Sequence, residues 1–325
     1  MVNATNVGCL GNATGVTEFL LLGFQVLPEV QPVLFTAFLI IYIITVAGNV
    51  LIVVMVSVDV RLHSPMYFFL GNLSFLEIWY PTTTVPTMIA GILTGGRRVS
   101  YAGCISQFYF FVSFAATECF LLTVMAYDRY VAICFPLHYT VLMEKKLCLK
   151  LVLSAWAGGF SPPVITIVLL CRLRFIGSQE IDHFFCEFAP LLKITCSETS
   201  VIEMYVFIIA ASILSVPFSL IIISYAYIMS AILKIPSAVG RHRTFSTCSS
   251  HLTVVIIYFG TLITIYVSPT TGRYLNLNKA LSLLYTVATP LMNPIIYALR
   301  NKEIQNTLSK TFRMFGSPRG LNERH

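Results

Sequence analysis

Charge is what this sequence has least of. Asp, Glu, Lys and Arg make up 11% of its 325 residues, against about 25% in ordinary soluble domains. A chain of this length could not clothe a globular surface with so few. Hydrophobic residues reach 57% and mean hydropathy is +0.81, which excludes a water-soluble enzyme and a disordered chain together. Proline (15) and glycine (18) are too few and too scattered for a collagen-like or linker-rich protein. The 21 basic residues form no stripe or finger pattern, so the net charge of +7 does not point to nucleic acid. There is no HExxH string and no internal repeat, which argues against a metalloprotease and against a transporter built from inverted halves. The first 28 residues hold no Lys or Arg and no cleavable signal pattern, so the first apolar run acts as the insertion signal.

What is present is apolar length. A bilayer core needs roughly 20 mostly apolar residues in a helix, and Val33 to Val58 carries no charge at all. Further runs at 65–91, 101–127, 147–171, 201–233, 247–267 and 280–299 bring the expected spans to seven. They are too long and too continuous for barrel strands. Helices satisfy their own backbone groups in lipid, and prolines within the runs (Pro81, Pro86, Pro162, Pro163, Pro217, Pro290, Pro294) become kinks.

With the amino terminus outside, fourteen Lys and Arg fall on inner segments and seven on outer ones, as the positive-inside rule requires. The sequons at Asn3 and Asn12 lie in the same outer tail, whereas Asn72-Leu73-Ser74 matches the pattern inside a span. Cys119, Cys134, Cys148 and Cys248 fall in the membrane or on the reducing side and read as free thiols. Cys104, Cys171, Cys186 and Cys196 face the oxidising side, an even number that permits three pairings. The loop 172–200 is long enough to act as a lid over the outer mouth. Its run Asp182, His183, Cys186, Glu187 is metal-capable, but the spacing fits no zinc pattern, so it reads as a disulfide loop with solvated charges.

Four strings are more specific: LHSPMYFFLGNLSFLE (62–77), MAYDRYVAIC (125–134), RTFSTCSSHLTVV (243–255) and PLMNPIIYALRN (290–301). At these relative positions the chain resembles, over essentially its whole length, the tetrapod-type (class II) odorant receptors of the rhodopsin-like G-protein-coupled superfamily. The resemblance implies an all-α membrane protein, a seven-helix bundle with its amino terminus outside and a short amphipathic helix after the seventh span. It divides the chain into an extracellular tail (1–28), a receptor domain (29–299) and a cytoplasmic helix and tail (300–325). Glu77 stands where the family commonly has Asp, and Ile176 where it often has Cys. A disulfide Cys104–Cys186 is implied, with Cys171–Cys196 as a second pairing.

The resemblance also assigns roles. Asp128, Arg129 and Tyr130 at the inner end of the third span form the G-protein switch with Tyr225, Asn293, Pro294 and Tyr297. Arg241, Arg243 and His138 contact the same partner or only set topology. Glu77 and Glu118 are the acids deepest in apolar spans, where a bare carboxylate is costly. Either they are protonated, or they share a sodium ion with Asn49 and Asn293; no other cofactor is implied. Phe108, Phe111, Val112 and Ala115 recur at helical spacing above Glu118. To this stripe the resemblance adds Ala116, Ile209, Ala210, Ile213, Phe259, Leu262, Ile263, Tyr266 and Thr286 as a ligand cradle. Amine receptors of the superfamily usually carry Asp where Phe111 stands, so the expected ligand is a small neutral volatile. The expected partners are membrane lipid and a stimulatory, olfactory-type G protein with cyclic AMP as output, in the plasma membrane of olfactory cilia. The competing readings are a receptor for a non-odorant small molecule and, more remotely, a transporter.

Overall fold

The computed structural model describes residues 16–175, 179–267, 274–300 and 304–305; the side chains at 243, 246, 247, 265–267, 274–278 and 297–300 are outside the described set. In chain order the elements are β1 (Glu18–Leu21), α1 (Gln31–Val58), α2 (Pro65–Thr94), β2 (Arg97–Ser100), α3 (Tyr101–Cys134), α4 (Tyr139–Leu142), α5 (Lys145–Phe160) and α6 (Pro162–Leu170). There follow β3 (Glu180–Ile181), α7 (Phe188–Lys193), α8 (Ser200–Leu233), α9 (Ala238–Val267), α10 (Tyr274–Leu283), a wide turn at Leu284–Ala288 and α11 (Thr289–Arg300).

Among the described residues, by length and apolarity alone, four helical stretches suffice to cross a bilayer: Gln31–Val58, Tyr101–Cys134, Lys145–Leu170 and Ser200–Leu233. A shorter apolar helix runs Cys248–Thr264. The run of threonines at 82–84 and the buried Glu77 dilute α2. Large apolar side chains such as Val33, Ile40 and Ile43 on α1, and Val201, Met204 and Phe207 on α8, are exposed. A water-facing protein rarely leaves so much apolar surface bare; an outside of this kind suits acyl chains.

Helix ends follow local chemistry. Pro32 and Pro65 stand at helix starts, where a missing N–H has no partner to lose. The Ser100 hydroxyl caps α3 by accepting from Gly103 N at 3.1 Å. α2 ends at Gly95, whose φ of 67° is left-handed backbone that glycine adopts without a Cβ clash.

Prolines divide two of the expected spans. The fourth breaks at Ser161, before Pro162 and Pro163, into α5 and α6. In the seventh, the wide turn gives the Pro290 ring room that a regular helix would deny it at the carbonyl of Thr286. Pro294 has no N–H to offer the carbonyl of Pro290, four residues back. Asn49 Nδ2 takes that carbonyl instead, at 3.2 Å, joining α1 to α11. Gly48 permits this approach, since a Cβ there would lie 3.3 Å from Pro294 Cβ.

One feature departs from the all-helical expectation. A small sheet of order β2-β1-β3 sits at one end of the bundle, with β1 antiparallel to β2 (Glu18↔Ser100) and parallel to β3 (Leu20↔Glu180). Phe19 and Leu21 alternate inward and pack with Phe175, Ile181 and the buried cysteines 104 and 186. The run is too short to announce itself by period. Residues beyond 300 other than 304 and 305, where the amphipathic helix was expected, lie outside the described set, as do Asn3 and Asn12.

Candidate functional site

The loop after α6 is held down at several points. Cys104 and Cys186 are joined by a disulfide with a Cα–Cα distance of 5.5 Å. Gln107, one turn further along α3, accepts from Cys186 N at 2.9 Å and donates to Thr83 O of α2 at 2.8 Å. Phe185 inserts against Phe111, ring centroids 4.7 Å apart, and is fully buried. On the other side Lys279 bonds both Asp182 and the carbonyl of Gly23. The expected pairing of Cys171 with Cys196 is not what forms. Cys171 is an exposed free thiol against the Tyr101 ring hydroxyl, while Cys196 is itself disulfide-bonded. The reason is register: Phe175 bridges Thr195 and Cys196 N bonds Arg174 O at 3.0 Å, which leaves Cys171 back at the helix end.

Beneath this lid lies a cavity of about 320 Å³. Phe108, Phe111, Val112, Ala115 and Ala116 of α3 form one wall; Ile209, Ala210 and Ile213 of α8 form another. Leu262 of α9 completes the set of expected cradle residues that reach it. Phe259 does not line the cavity, because its ring is buried between Phe218 and Tyr258. Ile263 is exposed and Thr286 is buried with its hydroxyl on Ser282 O at 2.6 Å, so neither lines it. The Tyr266 side chain is outside the described set. The phase of α9 explains the difference: Tyr258 and Leu262, four apart, share the inward face, one residue out of step with 259 and 263.

Sequence reasoning missed Tyr258, Tyr285 and Cys119 at the depth of the cavity, and Asp182, His183, Glu187 and Lys193 at its lid end. Tyr258 donates to Ala115 O at 2.7 Å, and Tyr285 to Ser282 Oγ at 3.4 Å. His183 Nε2 stands 3.0 Å from Glu187 Oε2. Burial, with the charge of Lys279 adding to it, pushes His183 down to about 3, and burial pushes Glu187 up to about 7 although 26% of its side chain stays accessible.

Deeper still, Glu77, Glu118, Asn49 and Asn293 are fully or almost fully buried. Asn293 donates to Glu77 Oε1. Glu77 and Glu118 lie close enough for one carboxyl to bond the other, while Asn49 Oδ1 and Asn293 Oδ1 have no hydrogen-bond partner. A facing carboxyl pair with amide oxygens beside it can either share a proton or hold a small hard cation, which takes oxygen ligands.

At the inner end, Asp128 accepts from the Tyr139 hydroxyl at 2.8 Å. Burial and the neighbouring carboxylate hold that hydroxyl well above its ordinary range. Arg129 Nη2 rests on Met66 Sδ, and Tyr130 packs edge-on against Phe135. Tyr225 of α8 meets His251 Nδ1 of α9 at 2.8 Å, and His251 Nε2 meets Leu122 O of α3 at 3.1 Å. One histidine, unremarked in the sequence, thus bridges three helices beside Arg129. Arg241 bonds Ile235 O at 3.0 Å, His138 is exposed, and the side chains of Arg243 and Tyr297 are outside the described set.

Comparison with known proteins agrees with this architecture. The family model described as "Olfactory receptor" matches residues 38–314. The chain is 49% identical to human Olfactory receptor 11L1 over 93% of its own length and 94% of that protein. It is 46% identical to mouse Olfactory receptor 6B9 (92% and 95% covered) and 45% identical to human Olfactory receptor 6N1 (94% and 98%). The chain belongs to the olfactory receptor family, helical membrane-embedded receptors that answer odorants through G proteins, and is not an enzyme.

Proposed function

We propose that this receptor threads the plasma membrane of olfactory cilia seven times with its amino terminus outside, and takes a small neutral volatile into the cavity beneath the lid. Binding there activates a stimulatory, olfactory-type G protein and raises cyclic AMP. The observation that carries the reading is the cavity itself: small, apolar through its depth and covered by an anchored loop. A ligand biases the two states of a receptor only by its differential affinity for them. Contact with Tyr258 and Leu262 gives it a lever on α9, and the Tyr225–His251–Leu122 bridge continues from α9 to α3 near Arg129.

The test is a panel of volatiles applied to cells carrying a cyclic AMP reporter, with an amino-terminal tag read on intact cells and a carboxy-terminal tag read only after permeabilisation. Ala116→Phe is expected to fill the cavity and abolish responses at normal surface level, and Arg129→Ala to abolish them with the cavity open. A carboxy-terminal tag reached on intact cells, or an Arg129→Ala receptor that signals normally, refutes the reading.

The same proposal gives the oxygens around Glu77 and Glu118 to a sodium ion that favours the silent state. Sodium then lowers basal and odorant-evoked cyclic AMP in the native receptor, and Glu118→Gln removes that dependence. Unchanged sodium sensitivity in the variant rejects the ion.

A further inference from the structure

Resting on the reading above, we propose that Glu187 is the residue that selects the ligand's functional group: it bonds the hydroxyl of an alcohol whose hydrocarbon body fills the cavity below. The argument begins with position. Cys186, immediately before it, is fixed to the outer end of α3 both by its disulfide and by its N–H on Gln107. Glu187 therefore has little freedom to leave the cavity wall at the lid end. Polarity in the cavity is one-sided. In its depth Tyr258 and Tyr285 spend their hydroxyls on Ala115 and Ser282, and the remaining deep wall is almost all hydrocarbon. At the lid end Asp182 is paired with Lys279, and Lys193 is exposed. His183, 3.0 Å away, stays neutral and supplies Glu187 with no counter-charge.

The state of the carboxyl narrows the ligand class. With burial raising it to about 7, Glu187 is divided between acid and carboxylate at neutral pH. An ammonium is served by the carboxylate only and a carbonyl by the acid only. A hydroxyl bonds both: it donates to the carboxylate and accepts from the acid. Thr166 is the third hydroxyl in the wall, after Tyr258 and Tyr285, and it serves as the internal comparison.

The experiment uses linear, branched and cyclic alcohols with matched hydrocarbons, aldehydes and amines on surface-quantified receptors in the cyclic AMP assay. Alcohols are expected to be the most potent series. Glu187→Leu should lower alcohol potency about ten- to hundredfold, to the level of the matched hydrocarbons. Glu187→Gln, which keeps a neutral hydrogen-bonding group, should restore all but roughly threefold of it, and Thr166→Val should leave the order unchanged. The assignment is overturned if Glu187→Leu and Glu187→Gln, present at the surface, leave alcohol potency unchanged, if Thr166→Val removes the preference, or if amines are the strongest series. A native receptor that answers other volatiles but no alcohol overturns this inference and leaves the proposed function standing, whereas silence to every volatile at normal surface level overturns both.

Discussion

Replacing Gly159 with alanine is expected to remove most of the receptor from the cell surface. A Cβ at this position of α5 would stand 2.7 Å from Thr117 N and 2.9 Å from Ser113 O, and would collide with Thr117 Oγ1. Thr117 N and Ser113 O are backbone atoms of α3, so turning the Thr117 side chain aside would not relieve the clash. Association of helices in lipid depends on small residues that let backbones approach closely, and α3 is packed against α5 along this seam. Overpacking a well-fitted contact costs about 1–3 kcal/mol, and contact with backbone puts this case at the upper end. A tenfold change in equilibrium corresponds to about 1.4 kcal/mol, so the surface signal of a tagged receptor should fall roughly tenfold or more. Gly158→Ala should be milder, because its Cβ would meet a Phe120 ring edge at 3.2 Å that can rotate. Gly260→Ala, with nothing within 4 Å, should be silent. Equal surface levels for Gly159→Ala and Gly260→Ala would refute the close contact.

The second large effect concerns the lid. Cys104→Ser and Cys186→Ser should each abolish odorant responses and lower surface level, and the double variant should be no worse than either single one. Native disulfides are typically worth 2–4 kcal/mol, about a thirtyfold change or more. Here the bond also holds Phe185 against Phe111 and sets the residue before Glu187. Cys171→Ser should change neither measurement, since Cys171 is an exposed free thiol. Responses that survive loss of either bonded cysteine, or that vanish with Cys171, would contradict this arrangement.

Much of the framework could be read from residues alone, because long uncharged runs leave a backbone few options. Val33–Val58 became α1 almost residue for residue. The breaks are less visible: Pro162–Pro163 and Pro294 read as kinks, yet their consequences depend on what neighbouring helices supply, as Asn49 does for the carbonyl that Pro294 leaves free. The sheet escaped notice because strands of two to four residues carry no measurable period. In the cavity, the α3 stripe at 108, 111, 112 and 115 came from spacing within one helix. On α9 Leu262 reaches the cavity but Phe259 and Ile263 do not, since an apolar stretch with aromatics on several sides does not declare its rotation. In the sequence Glu187 reads as a solvated loop charge. Nothing local distinguishes such a charge from one folded back over a cavity by a covalent link to residue 104.

The small sheet also dictates an order of assembly. Leu20 is made early and Glu180 only after α1 to α6, yet the two lie side by side with β2 completing the row. A nascent receptor cannot finish its mouth until just over half of it has been made, so premature release leaves Phe19 and Leu21 without Phe175, Ile181 and Cys186.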